Sequence, residues 1–279
     1  MSKSVKNLIK DALVRGEMLA ALSAVALMAS ISLIFRITIT WDFIVIVLLL
    51  SVAVYFFDFF DDASDFNFTQ ESEEKVVKKD KTYFKFITLA LIITCLIIAY
   101  LFGSMWSLLY LILLVGLGTL YPLYFKNFTK KIVGFKDFYV AFAWVIFELF
   151  FFVYYSYDEK TIILLFLIFM FTRDFMGASY CDLKDVKLDK KNGLLTFAST
   201  LGNSKLILVL FIFNVLSLII LFFGLRFDIF PQTMTILYLP VAMTTLLIYV
   251  AKRKNLFPSY YIDLEYCVWF LLLILTTNV

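Results

Sequence analysis

Nine stretches of the chain, near 17–35, 41–57, 85–102, 104–122, 137–155, 161–178, 205–224, 232–250 and 261–277, are apolar almost without interruption. Each is long enough to cross a hydrocarbon layer of about 30 Å as a helix. A segment in lipid must satisfy its own backbone hydrogen bonds, and none of these stretches shows the short alternation of a barrel strand. The pattern predicts an all-α membrane protein with nine transmembrane helices. Lys3, Lys6, Lys10 and Arg15 precede the first stretch in the manner of a secretion signal. That stretch is longer than a signal core and eight more follow, so it is expected to be an uncleaved first span.

The polar positions between spans divide unevenly. Connections after the even-numbered spans are long, whereas the odd-numbered ones are short, such as Gly103-Ser104 between spans three and four. Of the 25 Lys and Arg, only Arg36, Lys160 and Arg226 fall on the side of the short connections, with Arg173 counted toward the connection after the sixth span. Positive charge is retained on the cytoplasmic side of a membrane. The N-terminus and the long connections are therefore expected in the cytoplasm and the C-terminus outside, and the chemistry is expected at the cytoplasmic face.

Composition agrees with this reading. With 63% apolar and 17% charged residues and a mean hydropathy of +0.93, a soluble domain would have nowhere to hide its surface. Most of the 33 Phe and 16 Tyr are expected to face lipid, pack, or anchor at the membrane interface. The net charge of +3 is small, and no basic stripe interleaved with stacking aromatics argues for nucleic acid. Cys95, Cys181 and Cys267 have no metal or redox spacing and read as small hydrophobes. There is no His, so chemistry has to run on carboxylates, Lys, Arg, Tyr and bound metal. Asn67-Phe68-Thr69 and Asn127-Phe128-Thr129 match the glycosylation pattern but lie on the predicted cytoplasmic side, and Gly116-Leu117-Gly118 reads as helix packing.

Two acidic clusters stand out. After the second span come Asp58, Asp61 and Asp65; after the sixth come Asp182, Asp185 and Asp189; both have the spacing D-x-x-D-x-x-x-D. On a helix, positions i, i+3 and i+7 fall within roughly 60° of one another, so each trio is expected on one face. Carboxylates gathered in this way repel unless a cation sits among them. Hard oxygen ligands suit Mg²⁺, which usually completes its shell with phosphate oxygens. The two trios are related by one constant offset, four helices apart. This suggests a single domain spanning 1–279, with pseudo-repeats of four helices at about 17–135 and 137–255 around a central cavity, and a ninth helix at about 261–277. Asp62 shares the face of the first trio, whereas Val186 holds the equivalent place in the second.

At these residues the chain resembles the UbiA superfamily of intramembrane prenyltransferases, whose first motif is N-D-x-x-D-x-x-x-D. Phe57 to Asp65 matches it at all three Asp positions. The superfamily's second motif continues from D-x-x-D-x-x-x-D into a basic, Gly and Thr stretch, which Asp182 through Lys190, Lys191, Gly193, Thr196 and Gly202 resembles. Phe57 stands where the family has Asn, and the family's frequent Arg-Pro-rich stretch is absent from Phe66 to Lys85. The resemblance implies that Asp58, Asp61, Asp65, Asp182, Asp185 and Asp189 hold two Mg²⁺ ions that bridge to the diphosphate of an isoprenoid donor. Tyr121 and Lys126, the latter one of four Lys in its loop, resemble the family's Tyr and Lys near the diphosphate. Lys191, favoured by its motif position, Lys190 and Arg173 are further basic candidates for that role.

The leading expectation is Mg²⁺-dependent transfer of a prenyl group from its diphosphate to a small-molecule or lipid acceptor within the membrane. A terpene cyclase of the same superfamily, ionising the donor without an acceptor, is the alternative that the altered Phe57 keeps open. A transporter or lipid-binding protein is the alternative from another class. It would require buried ionisable residues or broken helices along a pathway, and Glu148 is the one clear mid-span carboxylate in the sequence.

Overall fold

The computed structural model describes residues 17–62, 71–254 and 260–277. Among them the chain forms nine long helices and no strand. In chain order these begin with α1 (Glu17–Phe35), α2 (Trp41–Asp62), α3 (Glu71–Phe102), α4 (Met105–Leu123), α5 (Phe135–Tyr154) and α6 (Lys160–Cys181). Two short helices, α7 (Val186–Lys191) and α8 (Phe197–Leu201), lead into α9 (Asn203–Arg226), α10 (Tyr238–Lys254) and α11 (Tyr260–Thr277).

Each apolar stretch coincides with a long helix over most of its length. The stretches on α3, α5, α6 and α9, and the one that ends in α10, are long and apolar enough to cross a membrane; α1, α2, α4 and α11 carry shorter apolar segments among the described residues. Two elements differ from the expected bounds. The helix of α3 begins at Glu71, well before its apolar window at Lys85–Phe102. Its leading turns, Glu-Ser-Glu-Glu-Lys-Val-Val-Lys-Lys, are rich in strong helix formers with Glu four residues ahead of Lys, so they continue the helix into water. The stretch at 232–250 opens as a 3-10 turn, Gln232–Leu237, before α10 begins. Pro240 then sits in the first turn of α10, where its missing N–H costs no helical bond.

The helices pack in chain order from α1 to α6, α9 packs on α6 and α10 on α9, and α11 packs along α1 to close a ring. The interior is mainly aromatic and aliphatic, with Phe43, Phe150, Phe151, Phe166, Phe169 and Trp269 fully buried. Outward-facing Leu164, Phe211, Leu246 and Leu275 remain exposed, as expected where lipid is the solvent. At one end the short connections are pinned. The Thr40 N–H donates to the Tyr155 hydroxyl at 2.8 Å, the Tyr154 hydroxyl donates to Asp42, and Ser104 caps α4 through the Ser107 N–H at 3.1 Å. The acidic residues lie at the other end, where the connections are longer.

Candidate active site at the end of the helix ring

The sixth long helix stops at Cys181, and Asp182 is its C-cap. A tight turn follows, in which Leu183 N–H donates to Tyr180 O at 3.1 Å and Asp185 N–H to Asp182 O at 3.1 Å. Only then does α7 begin, carrying Asp189. The second trio therefore straddles a helix break and does not lie on one continuous helical face. Three carboxylates stacked on one face would repel, and the break lets Asp182 and Asp189 find separate partners.

Those partners come from neighbouring segments. The Lys136 Nζ, in the first turn of α5, donates to Asp182 Oδ1 at 2.7 Å. The Thr196 hydroxyl donates to Asp189 Oδ2 at 2.9 Å and accepts from the Ser199 N–H at 3.1 Å, so one side chain caps α8 and orients a carboxylate. Asp182 and Asp189 are 3% and 4% exposed. Burial raises the Asp189 pKa above the ordinary carboxylate value; Asp182 and Asp185 add to the shift, while Lys136 and Thr196 oppose it.

Two connections are laced together beneath these groups. Gly134 N–H donates to Leu195 O at 2.7 Å, and Leu195 N–H donates to Thr129 O at 2.9 Å. Gly134 has φ 71, and a Cβ there would lie 2.2 Å from the Phe197 ring, so only glycine permits this approach. One residue past Lys136, buried Asp137 accepts the Phe197 N–H at 3.4 Å. The rings of Phe138, Phe175 and Phe197 pack on one another beside it.

The other sequence-predicted residues are distributed as follows. Asp185 is part-buried in the turn, and Lys190 and Lys191 are exposed at the end of α7. Tyr121, near the end of α4, has its ring 4.9 Å from that of Tyr139 on α5. Lys126 belongs to the 3-10 turn Phe125–Lys130, and its side chain lies outside the description. Asp58 and Asp61 lie in the last turns of α2, again without described side chains, and Asp65 lies outside the described residues. Among the described residues no three Asp, Glu or Cys side chains converge tightly enough to cage a metal alone.

Arg173 is not brought to this end. It sits inside α6, about 13 Å along the axis from Asp182 and roughly 180° around it. There its guanidinium pairs with Glu265 of α11 and donates to Asn214 of α9 and to Thr244 of α10 at 3.1 Å. Beside it, the Tyr266 hydroxyl donates to Asp174 Oδ1 at 2.6 Å, and Asp174 stands against fully buried Glu148. Glu148 is thus one member of a polar layer across the bundle and not a solitary mid-span acid.

Sequence reasoning missed Lys136 and Asp137. The available signal was a Lys-Asp pair opening an apolar run, but charges at a helix start are ordinary and only the tertiary fold puts this lysine on Asp182. A surface groove lined by Trp106, Leu109, Tyr110, Leu113 and Val153 lies toward the opposite end, away from the acidic residues.

Comparison with known proteins agrees with this architecture. Residues 77–261 match the model of the UbiA prenyltransferase family. A UbiA homolog from Archaeoglobus fulgidus aligns along nearly its whole length. Its complex with GPP and Mg²⁺ aligns at TM-score 0.68 and 13% identity; its complex with DMAPP and Mg²⁺ aligns at 0.67 and 13%. Both alignments cover 95% of this chain and 99% of the homolog. A digeranylgeranylglyceryl phosphate synthase aligns at TM-score 0.61 and 13% identity, covering 95% and 96% of the two chains. Comparison with curated protein sequences gives no match.

Proposed function

From the premise that the chain belongs to the UbiA prenyltransferase family and is an integral membrane protein, we propose that it transfers a prenyl group from an isoprenoid diphosphate to a small-molecule or lipid acceptor, with Mg²⁺. The observation that carries this is the burial of Asp182 and Asp189 together at one end of the helix ring, with Lys136 reaching in to Asp182. The donor set fits the ion: Asp182, Asp185 and Asp189 offer hard carboxylate oxygens, and the burial that chiefly raises the Asp189 pKa makes a charge there costly without a bound cation. Asp182, Asp185 and Asp189 would hold it together with Asp58, Asp61 and Asp65, two ions in all. When bound, Mg²⁺ supplies stabilisation of the negative charge that develops on a departing diphosphate.

The chain's own residues do the rest. Tyr121, Lys126 and Lys191 are assigned to the diphosphate; Arg173 is left out because Glu265, Asn214 and Thr244 already hold its guanidinium. The aromatic and aliphatic interior of the ring would exclude water from the donor's first carbon as its bond to the diphosphate oxygen breaks. The bonding pair leaves with the diphosphate, the acceptor bonds to that carbon, and the acceptor's proton passes to water. The distribution of Lys and Arg supports a cytoplasmic N-terminus and motif end, with the C-terminus outside.

The deciding experiment supplies purified protein with Mg²⁺, an allylic diphosphate such as geranylgeranyl diphosphate, and a panel of acceptors. Pyrophosphate release is expected, and Asp61→Ala and Asp185→Ala are each expected to abolish it; full turnover in either would remove the metal-dependent mechanism. Phe57 in place of the family's Asn favours keeping a second reading, that of a terpene cyclase. A cyclic product formed without any acceptor would select it.

A further inference from the structure

We propose that Lys136 is an exchangeable cation of the active site: it holds Asp182 while no metal is bound and transfers its hydrogen bonds to the diphosphate when metal and donor enter. This rests on the prenyltransferase reading above and extends it to a residue outside both acidic motifs.

Three observations point there. The Nζ of Lys136 is bonded to Asp182 Oδ1 at 2.7 Å, on one of the aspartates assigned to the metal. The two partners are unequally held: the Asp182 side chain is 5% exposed, whereas that of Lys136 is 32% exposed and reaches in from the open side. A lysine on a four-carbon stem can swing between neighbouring acceptors, whereas a buried carboxylate at a helix cap cannot follow it. Finally, the charge around this lysine is lopsided. Asp182 and Asp189 act on Lys136, and Asp182 and Lys136 act in turn on buried Asp137 beside it, so three carboxylates share one local field. One ammonium cannot neutralise that many carboxylates, so it serves as a placeholder for a stronger cation. Once a divalent ion takes over the carboxylates, the nearest unmet anion for the ammonium is the diphosphate.

The test uses the full chain in detergent, with Mn²⁺ as the metal probe followed by electron paramagnetic resonance, and inorganic pyrophosphate as the anion. Lys136→Met is expected to bind Mn²⁺ alone several-fold more tightly than wild type, because a competing cation is gone. The same variant is expected to bind pyrophosphate in the presence of Mn²⁺ about tenfold more weakly, because a charge-assisted bond is lost. Lys136→Arg, which keeps the charge, should restore pyrophosphate binding. A merely structural role would weaken both or neither. Unchanged or weaker Mn²⁺ binding by Lys136→Met, with its unfolding temperature preserved, overturns the proposal. If that variant does not fold, Lys136→Gln is read by the same two criteria. Wild-type protein that binds neither Mn²⁺ nor pyrophosphate would instead remove the prenyltransferase reading itself.

Discussion

A hydroxyl at position 196 serves two structures at once. It accepts the Ser199 N–H that starts α8 and donates to buried Asp189. A helix cap contributes about 1 kcal/mol, and a hydrogen bond to a buried charge about 1.5–3 kcal/mol. Thr196→Val, nearly identical in shape, is therefore expected to lower stability by about 2–4 kcal/mol, read as a fall in unfolding temperature, and to weaken Mn²⁺ binding. Thr196→Ser should keep both. This threonine was visible in the sequence through the Gly-Thr stretch after the second trio. Lys136 was not, because nothing in its neighbours distinguishes a lysine facing Asp182 from Lys130 and Lys131 of the same loop, which face solvent.

Among the elements, α6 shows most plainly how one helix serves different ends. Its terminus presents Asp182 to the site, while its middle ties the bundle through Arg173 to α9, α10 and α11. Breaking a buried ion pair by neutralising one partner costs about 3–5 kcal/mol, since the remaining charge has nowhere to go. Glu265→Gln is expected to lower stability by that order, read as a fall in unfolding temperature. Glu265→Leu combined with Arg173→Met should recover part of the loss, because removing both charges also removes the desolvation cost. Pyrophosphate binding by folded Glu265→Gln should be unchanged, because the pair lies about two and a half turns from Asp182; a loss there would return Arg173 to the diphosphate set. The helical positions of these residues were legible in advance. That Arg173 would meet Glu265, nearly a hundred residues later, was not, because helix periodicity says which residues share a face and not which helix that face meets.

For the molecule as a whole, ring closure packs the last long helix, α11, along the first, α1, and the long connections gather at the end that bears the second trio. The orientation argued from Lys and Arg has a direct check. In a background without the native Cys, a cysteine at Lys160 should react with a membrane-impermeant thiol reagent added to intact cells. One at Lys191 should react only after permeabilisation. The reverse pattern would invert the topology and place the acidic residues outside.

The sequence by itself determined that this chain lives in a membrane, where its apolar helices lie, and that two aspartate trios recur at one spacing, because hydrophobic length and residue spacing are local properties. Tertiary structure alone decided that the second trio breaks across a turn, that Lys136 and Thr196 hold its members, and that Arg173 belongs to an interhelical layer. Those outcomes depend on which buried charge finds which partner, and in a low-dielectric interior that is settled by packing between segments remote in the chain.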